Sequence, residues 1–211
     1  KPEEDKPFFL YLSFMNPHDI CYGAGFDPRF PDKLRPHQIA ATQKYINFRK
    51  TLSEEEYRNQ IPPVPANMEP NGAYAEMKEI GSGSRSWTEE QWDFYRWMYC
   101  RLVEDVEKQI GRILTALADA GLADNTIVVF TSDHGEMGQS HGLVFKSQLL
   151  EEATRTPLII AGPGIQKGIV DSKNLTCGID LVPTMCDLAG IPIPKGLSGK
   201  SLKPILTGQT V

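Results

Sequence analysis

One short segment groups side chains that could bind a cation together with an anionic ester. Thr131–Glu136 reads Thr-Ser-Asp-His-Gly-Glu, and His141 and Lys146 follow it. Carboxylate and imidazole groups are ligands for divalent cations, and an ammonium group binds an anion as a point charge. The segment therefore indicates a site for a cation and a phosphate- or sulfate-like ester, and no obvious nucleophile accompanies it in the chain.

Size and composition predict an ordinary globular protein. The chain has 211 residues, of which 40% are hydrophobic and 23% are charged, enough for one domain or most of one. Its net charge of −5 gives no support to nucleic-acid or anionic-membrane binding. No apolar run approaches the roughly 20 residues that span a bilayer. Four scattered cysteines without a Cys-x-x-Cys pair predict buried or free thiols.

Hydrophobic patterning predicts an α/β layered sandwich with a largely parallel sheet. Apolar runs predict buried strands over 8–14, 126–131 and 158–161. A long apolar stripe predicts a helix that begins at Thr88, where Gln91 completes a capping box, and ends at Gly121. Two shorter helices are expected over 180–189 and 201–206. The alternation of strands and helices is typical of layered α/β folds.

Residues 16–86 predict a long loop region that faces the substrate. The region is rich in proline and glycine, with short helices possible over 39–48 and after Ser53, where Glu56 could complete a capping box. Long irregular loops are usually functional or disordered. The aromatic residues of this region favour the functional interpretation.

Two predicted strands end in candidate site residues. The first runs into His18 and the second into Asp133 and His134. Ligands bind beyond the carboxyl ends of parallel strands, so parallel pairing would bring these residues to one edge of the sheet. Each candidate residue could instead have a purely structural role, since Asp-His-Gly is often a turn and a single lysine such as Lys146 is often solvated. The prediction of a site depends on the grouping of these residues, because three of the four histidines fall in the two loops that follow the predicted strands.

These motifs resemble the second half of a type I sulfatase catalytic domain, which is alkaline-phosphatase-like. The resemblance rests on Ser132–Glu136, on His141 with Gly142, on Lys146, and on Glu-Glu-x-x-Arg-x-Pro over residues 151–157. It covers most of the chain and predicts that residues 1–211 are an incomplete catalytic domain. The proline-rich segment from Gln60 to Pro70 is similar to the subgroup found in glycan-degrading bacteria.

The resemblance implies a role for each site residue. Asp133 and His134 would ligate a divalent cation, usually calcium in this family. Lys146 would hold a sulfate oxygen, and His18 would contact the bridging oxygen as a general acid. His141 would contact the sulfate or the nucleophile.

The chain departs from the family pattern where the nucleophile is concerned. The family nucleophile is a formylglycine made in a Cys/Ser-x-Pro/Ala-x-Arg motif, and no cysteine or serine here fits it. Paired aspartates that supply further cation ligands are also missing. We therefore expect the formylglycine in an N-terminal half outside this chain, and no turnover by the chain alone.

The resemblance predicts a sulfuric ester hydrolase acting on a sulfated small molecule or glycan. A phosphodiesterase or phosphonate monoester hydrolase of the same superfamily is one alternative, and a non-catalytic binding module is another. Family members that act on external glycans are usually exported, so a periplasmic or secreted location is expected. The oligomeric state cannot be read from the sequence.

Overall fold

A computed structural model describes residues 6–23, 36–69 and 84–209. These residues form two compact units. The first contains the described residues up to Ile113 together with Glu136–Ala153. The second contains Leu114–Gly135 and the residues from Thr154 onward.

Helices account for most of the regular structure in the described ranges. Their bounds are α1 Ile20–Gly23, α2 Pro36–Thr51, α3 Glu54–Arg58, α4 Glu89–Asp119, α5 Glu151–Thr154, α6 Leu181–Leu188 and α7 Lys203–Leu206. Short 3-10 turns lie at 84–86, 123–125, 140–142 and 178–180. No helix of this part of the chain is long and apolar enough to traverse a lipid bilayer.

The long helix α4 has the ends that the sequence predicts. The Thr88 amide donates to the Gln91 side chain at 2.8 Å, and the Gln91 amide donates back to the Thr88 hydroxyl at 3.3 Å. Such caps stabilise a helix by roughly 1 kcal/mol. Gly121 adopts a left-handed φ of 70°, and the Leu122 amide donates to the Leu117 carbonyl at 3.1 Å. The capping box predicted at Ser53 and Glu56 is also present at the start of α3.

The core of the first unit is built on the N-terminal half of α4. Trp97, Met98 and Leu102 are completely buried there. Tyr45 from α2 and Tyr57 from α3 pack in the same cluster. Burial of each large apolar side chain stabilises the fold by roughly 1.5–3 kcal/mol, so this cluster fixes the helices that support the site.

The second unit has a smaller centre at the C-terminal helices. Thr184 of α6 is buried, and its hydroxyl donates to the Asp180 carbonyl at 2.6 Å. The same hydroxyl accepts the Leu202 amide at 2.9 Å. Thr184 therefore links α6 to the residue that precedes α7. Both helices lie within the predicted ranges, although each is shorter than its prediction.

The described strands pair in the antiparallel sense, not in the predicted parallel one. Strand β1, Val128–Thr131, pairs with β2, Leu158–Ala161, and Thr131 lies opposite Leu158. Parallel pairing requires a long crossover, usually a helix. In the connection between these strands the longest helix is α5, with four residues. Both strands are also partly exposed, so the prediction that they are buried on both faces is wrong.

The predicted first strand over 8–14 is absent from the structure. These residues form no helix or strand, and most of them are exposed, with Phe9 at 74% and Tyr11 at 78%. A strand buried on both faces needs neighbouring strands and helices, which an apolar run in the sequence cannot guarantee. His18 therefore does not follow a strand end, and a turn positions it instead.

The predicted loop region 16–86 contains more helix than expected where it is described. Helix α2 covers Pro36–Thr51, which is longer than the predicted 39–48. Residues 24–35, which include Phe26 and Phe30, and residues 70–83 lie outside the described residues. The substrate-facing role of the region stays a prediction.

Candidate active site

His18 lies in a backbone turn that leads into α1. Its amide donates to the Met15 carbonyl, and its carbonyl accepts the Cys21 amide, both at 3.0 Å. The ring nitrogen Nδ1 lies 3.7 Å from Cys21 Sγ, within the range of a weak sulfur hydrogen bond.

The Cys21 thiol lies beside His18, and the charge of Lys146 acts on its pKa. Burial raises the pKa of Cys21 above its usual value, and the positive charge of Lys146 acts in the opposite direction. The negative charges of Asp19 and Glu136 raise it further. The thiol is therefore neutral at pH 7 and not a nucleophile. All four cysteines are free, as predicted.

His141 and Lys146 belong to one tightly bonded segment, the histidine loop, Glu136–Lys146. The Met137 amide donates to the Phe145 carbonyl at 2.9 Å and closes the loop. Gln139, His141 and Phe145 have positive φ angles of 85°, 56° and 70°. Residues other than glycine adopt this conformation at an energetic cost, and such residues cluster at functional sites. The surrounding contacts must therefore hold the loop in shape.

Glu136 is one of the groups that hold the histidine loop. Its Oε1 accepts the Tyr95 hydroxyl and the Phe145 amide, each at 2.6 Å. Burial raises the pKa of Glu136, while these hydrogen bonds and the charge of Lys146 lower it. A partly buried carboxylate that accepts these hydrogen bonds fixes its partners, because removal of the acceptor would leave the donors unsatisfied. Glu136 thus anchors the base of the loop to α4.

The buried guanidinium of Arg96 holds the same loop from α4. It donates to the Gln139 side chain, to Asp93 and, at 3.1 Å, to the Pro62 carbonyl. Arg96 thereby joins the loop to the described part of the proline-rich segment, residues 60–69. Neither Glu136 nor Arg96 was assigned a role from the sequence, because the Tyr95–Glu136 and Arg96–Gln139 contacts span 41 and 43 positions and no local spacing shows them.

His141 is buried, with 8% of its surface exposed. Its amide donates to the Asn67 carbonyl at 2.8 Å, and its Nε2 lies 3.4 Å from Asn67 Nδ2 and 4.0 Å from Glu152 Oε1. Asn67 Nδ2 also donates to Glu152 Oε1 at 2.6 Å. Burial acts to raise the pKa of Glu152, but hydrogen bonds from its own amide and from Asn67 outweigh burial and lower it.

Asp133 and His134 form a pair directly after β1 in the second unit. Asp133 Oδ1 accepts the His134 amide at 3.0 Å, and Asp133 Oδ2 lies 3.4 Å from His134 Nε2. His134 Nδ1 lies 2.9 Å from the Gly135 carbonyl, which can only accept, so Nδ1 carries a proton. Nε2 of His134 and Oδ2 of Asp133 therefore face each other, and both atoms are of the kinds that can ligate a cation.

The Asp133–His134 pair fits a divalent cation as two of its ligands. The Asp133 side chain is 83% exposed and the His134 side chain is 35% exposed, so both are accessible. Calcium takes six to eight oxygen ligands. Within the described ranges, no group of three or more His, Cys, Asp or Glu side chains is arranged to hold a metal ion. A calcium ion at this pair would need further oxygen ligands besides these two side chains.

Comparisons with known proteins assign the chain to a family. The family model described as Sulfatase matches residues 1–191, which is most of the chain. The chain belongs to the sulfatase family. The predicted resemblance to sulfatases is therefore confirmed.

The sulfatase relatives include vertebrate and bacterial proteins. Arylsulfatase K from Danio rerio is 33% identical over 211 residues, which cover 98% of this chain and 37% of the relative. Delta 4,5-hexuronate-2-O-sulfatase from Bacteroides thetaiotaomicron is 34% identical over 207 residues, which cover 97% and 40%. The solved structure of BT1596, a 2-O GAG sulfatase, matches with a TM-score of 0.70 at 30% identity and covers 92% of this chain and 40% of its own.

These comparisons confirm the predicted alkaline-phosphatase-like fold class as an incomplete domain. The chain spans about 40% of the length of the relatives that it matches. Sulfatases generally use a divalent cation and a formylglycine. Within the second unit the structure pairs Asp133 with His134.

Proposed function

We propose that the full-length protein hydrolyses a sulfate ester, using His18, Lys146, Asp133 and His134 from this chain. The observation that carries the proposal is the match of residues 1–191 to the sulfatase family, together with the Asp133–His134 pair that follows β1. An imidazole can protonate the leaving oxygen of a sulfate ester, and an ammonium and a bound cation can neutralise the charge of its sulfate group.

Lys146 and His18 have separate tasks in this proposal. The Lys146 ammonium holds a non-bridging sulfate oxygen and offsets its negative charge in the transition state. His18 donates a proton through Nε2 to the alcohol oxygen as the bond from sulfur to that oxygen breaks. The neutral Cys21 thiol lies 3.7 Å from Nδ1 of the same imidazole.

Asp133 and His134 would hold the cation, most simply calcium, as two ligands of a larger set. The cation, when bound, neutralises charge on the transferring group, and the formylglycine of the family supplies the nucleophile. The present chain contributes the Asp133 carboxylate and the Nε2 lone pair of His134. The burial of His141 favours a supporting role over direct contact with the ester.

A sulfated carbohydrate is the substrate class that we propose. The support comes from relatives named as a hexuronate-2-O-sulfatase and a 2-O GAG sulfatase. The similarity of residues 60–70 to glycan-degrading sulfatases points the same way. An exported location suits an enzyme that meets such glycans outside the cytoplasm.

A competition between ester classes tests the proposed function. The purified full-length protein is offered 4-nitrophenyl sulfate, a 2-O-sulfated hexuronate disaccharide, 4-nitrophenyl phosphate and a phosphonate monoester in calcium-containing buffer. We expect kcat/KM for the sulfates to exceed that for the phosphorus esters at least about 100-fold, which is about 2.7 kcal/mol of transition-state discrimination. The 211-residue chain serves as the matched control and should show no turnover.

Each other outcome of the competition contradicts part of the proposal. A preference for the phosphonate monoester would assign the protein to the phosphonate hydrolases. Absence of turnover on every ester, with the disaccharide still bound, would indicate a binding module. Turnover by the 211-residue chain would show that the nucleophile lies within it.

A further inference from the structure

Asn67 and Glu152 meet at the buried imidazole of His141. Asn67 belongs to the proline-rich segment and Glu152 to α5, so the contact joins parts of the chain 85 positions apart. His141 has a left-handed backbone, with φ at 56°, and its amide donates to Asn67. Since that conformation is costly for a residue with a side chain, these contacts must help to maintain it.

The orientation of the Asn67 amide follows from the charge of Glu152. A carboxylate can only accept hydrogen bonds, so the Asn67 atom 2.6 Å from Glu152 Oε1 is the nitrogen Nδ2. That nitrogen also lies 3.4 Å from His141 Nε2. An amide nitrogen can only donate, so Nε2 must accept its second hydrogen. The imidazole is then neutral and carries its proton on Nδ1.

We propose that Asn67 and Glu152 are positioning residues that hold His141 as the neutral Nδ1–H tautomer. Through His141 they fix the histidine loop, Glu136–Lys146, which closes at Phe145 next to Lys146. The proline-rich segment thereby sets the position of the Lys146 ammonium. The catalytic consequence rests on the proposed sulfatase function, whereas the tautomer does not.

Nitrogen NMR of the imidazoles tests the tautomer without any substrate. The 211-residue chain is labelled with ¹⁵N-histidine, and His141→Gln assigns the His141 resonances among the four histidines. In the unsubstituted chain at pH 7.5, we expect His141 Nδ1 at the shift of a protonated nitrogen and Nε2 at that of an unprotonated one. An Nε2–H tautomer, or an average of both, would overturn the proposal.

Three substitutions separate a positioning role from simple packing. Asn67→Asp keeps the shape but replaces the donor by an acceptor, so the His141 proton should move to Nε2. Glu152→Gln keeps an acceptor for Asn67 and should preserve the Nδ1–H tautomer, whereas Glu152→Ala should not. An unchanged His141 spectrum in Asn67→Asp would contradict the assignment. Should Asn67→Asp fail to fold, the comparison of Glu152→Gln with Glu152→Ala decides the question.

Kinetics of the full-length protein test the consequence for the loop. Asn67→Asp should lower kcat about tenfold with a smaller change in KM, since a displaced ammonium affects the transition state most, and Glu152→Gln should retain most activity. Unchanged kcat in Asn67→Asp would refute the link to Lys146. If the unsubstituted enzyme hydrolyses no sulfate ester, the proposed function fails while the NMR result still decides the tautomer.

Discussion

Replacement of Lys146 by alanine is expected to lower kcat/KM for a sulfate ester by about 100- to 1,000-fold in the full-length protein. Removal of one donor that stabilises developing negative charge typically has an effect of this size. The side chain is half-buried, and the histidine loop is held independently by Glu136 and by backbone bonds. The free energy of unfolding should therefore change little. Steady-state kinetics and thermal unfolding measure the two effects.

Lys108→Ala is the matched control for this substitution. Lys108 lies on an exposed face of α4, 3.5 Å from Asp105, and exposed ion pairs contribute at most about 1 kcal/mol. Its removal should leave kcat/KM unchanged. Equal kinetics for Lys146→Ala and Lys108→Ala would exclude Lys146 from the site.

Replacement of His18 by asparagine is expected to give the second large loss, and its size should depend on the leaving group. General acid catalysis typically contributes about 100- to 10,000-fold. A sugar hydroxyl leaves poorly without a proton, so the 2-O-sulfated disaccharide should lose activity within that range. The 4-nitrophenolate of an aryl sulfate leaves easily, so that ester should lose less than about tenfold.

The comparison of the two losses of kcat/KM in His18→Asn needs no separate control, because one enzyme preparation supplies both values. Misfolding or loss of cation would reduce the two activities equally. Equal losses on both esters would therefore contradict the role of His18 as a general acid. Leaving-group dependence is measured as kcat/KM for the two substrates side by side.

Local patterns predicted the helices well because their causes are local. The capping box at Thr88 and the glycine at 121 lie within a few residues of the ends that they determine. Strand prediction was less successful. The apolar character of residues 8–14 resembles a buried strand, but burial depends on neighbours that the run itself does not specify.

The site shows the same division between local and distant causes. Asp133 and His134 are adjacent in sequence, and the structure pairs them as the motif suggests. The contact of Tyr95 with Glu136 and that of Asn67 with Glu152 join residues 41 and 85 positions apart. Such pairs leave no periodic signal, so the support of the histidine loop became visible only in three dimensions.

The position of the sulfate group of a bound ester tests most directly the claim that His18 and Lys146 bind it. Crystals of the full-length protein, grown without sulfate and soaked with calcium and the 2-O-sulfated disaccharide, would show where the sulfate group binds. The account predicts that His18 Nε2 and Lys146 Nζ each lie about 3 Å from an oxygen of the same sulfate group. It further predicts a cation ligated by Asp133 and His134. A sulfate group that contacts neither His18 nor Lys146 would contradict the account.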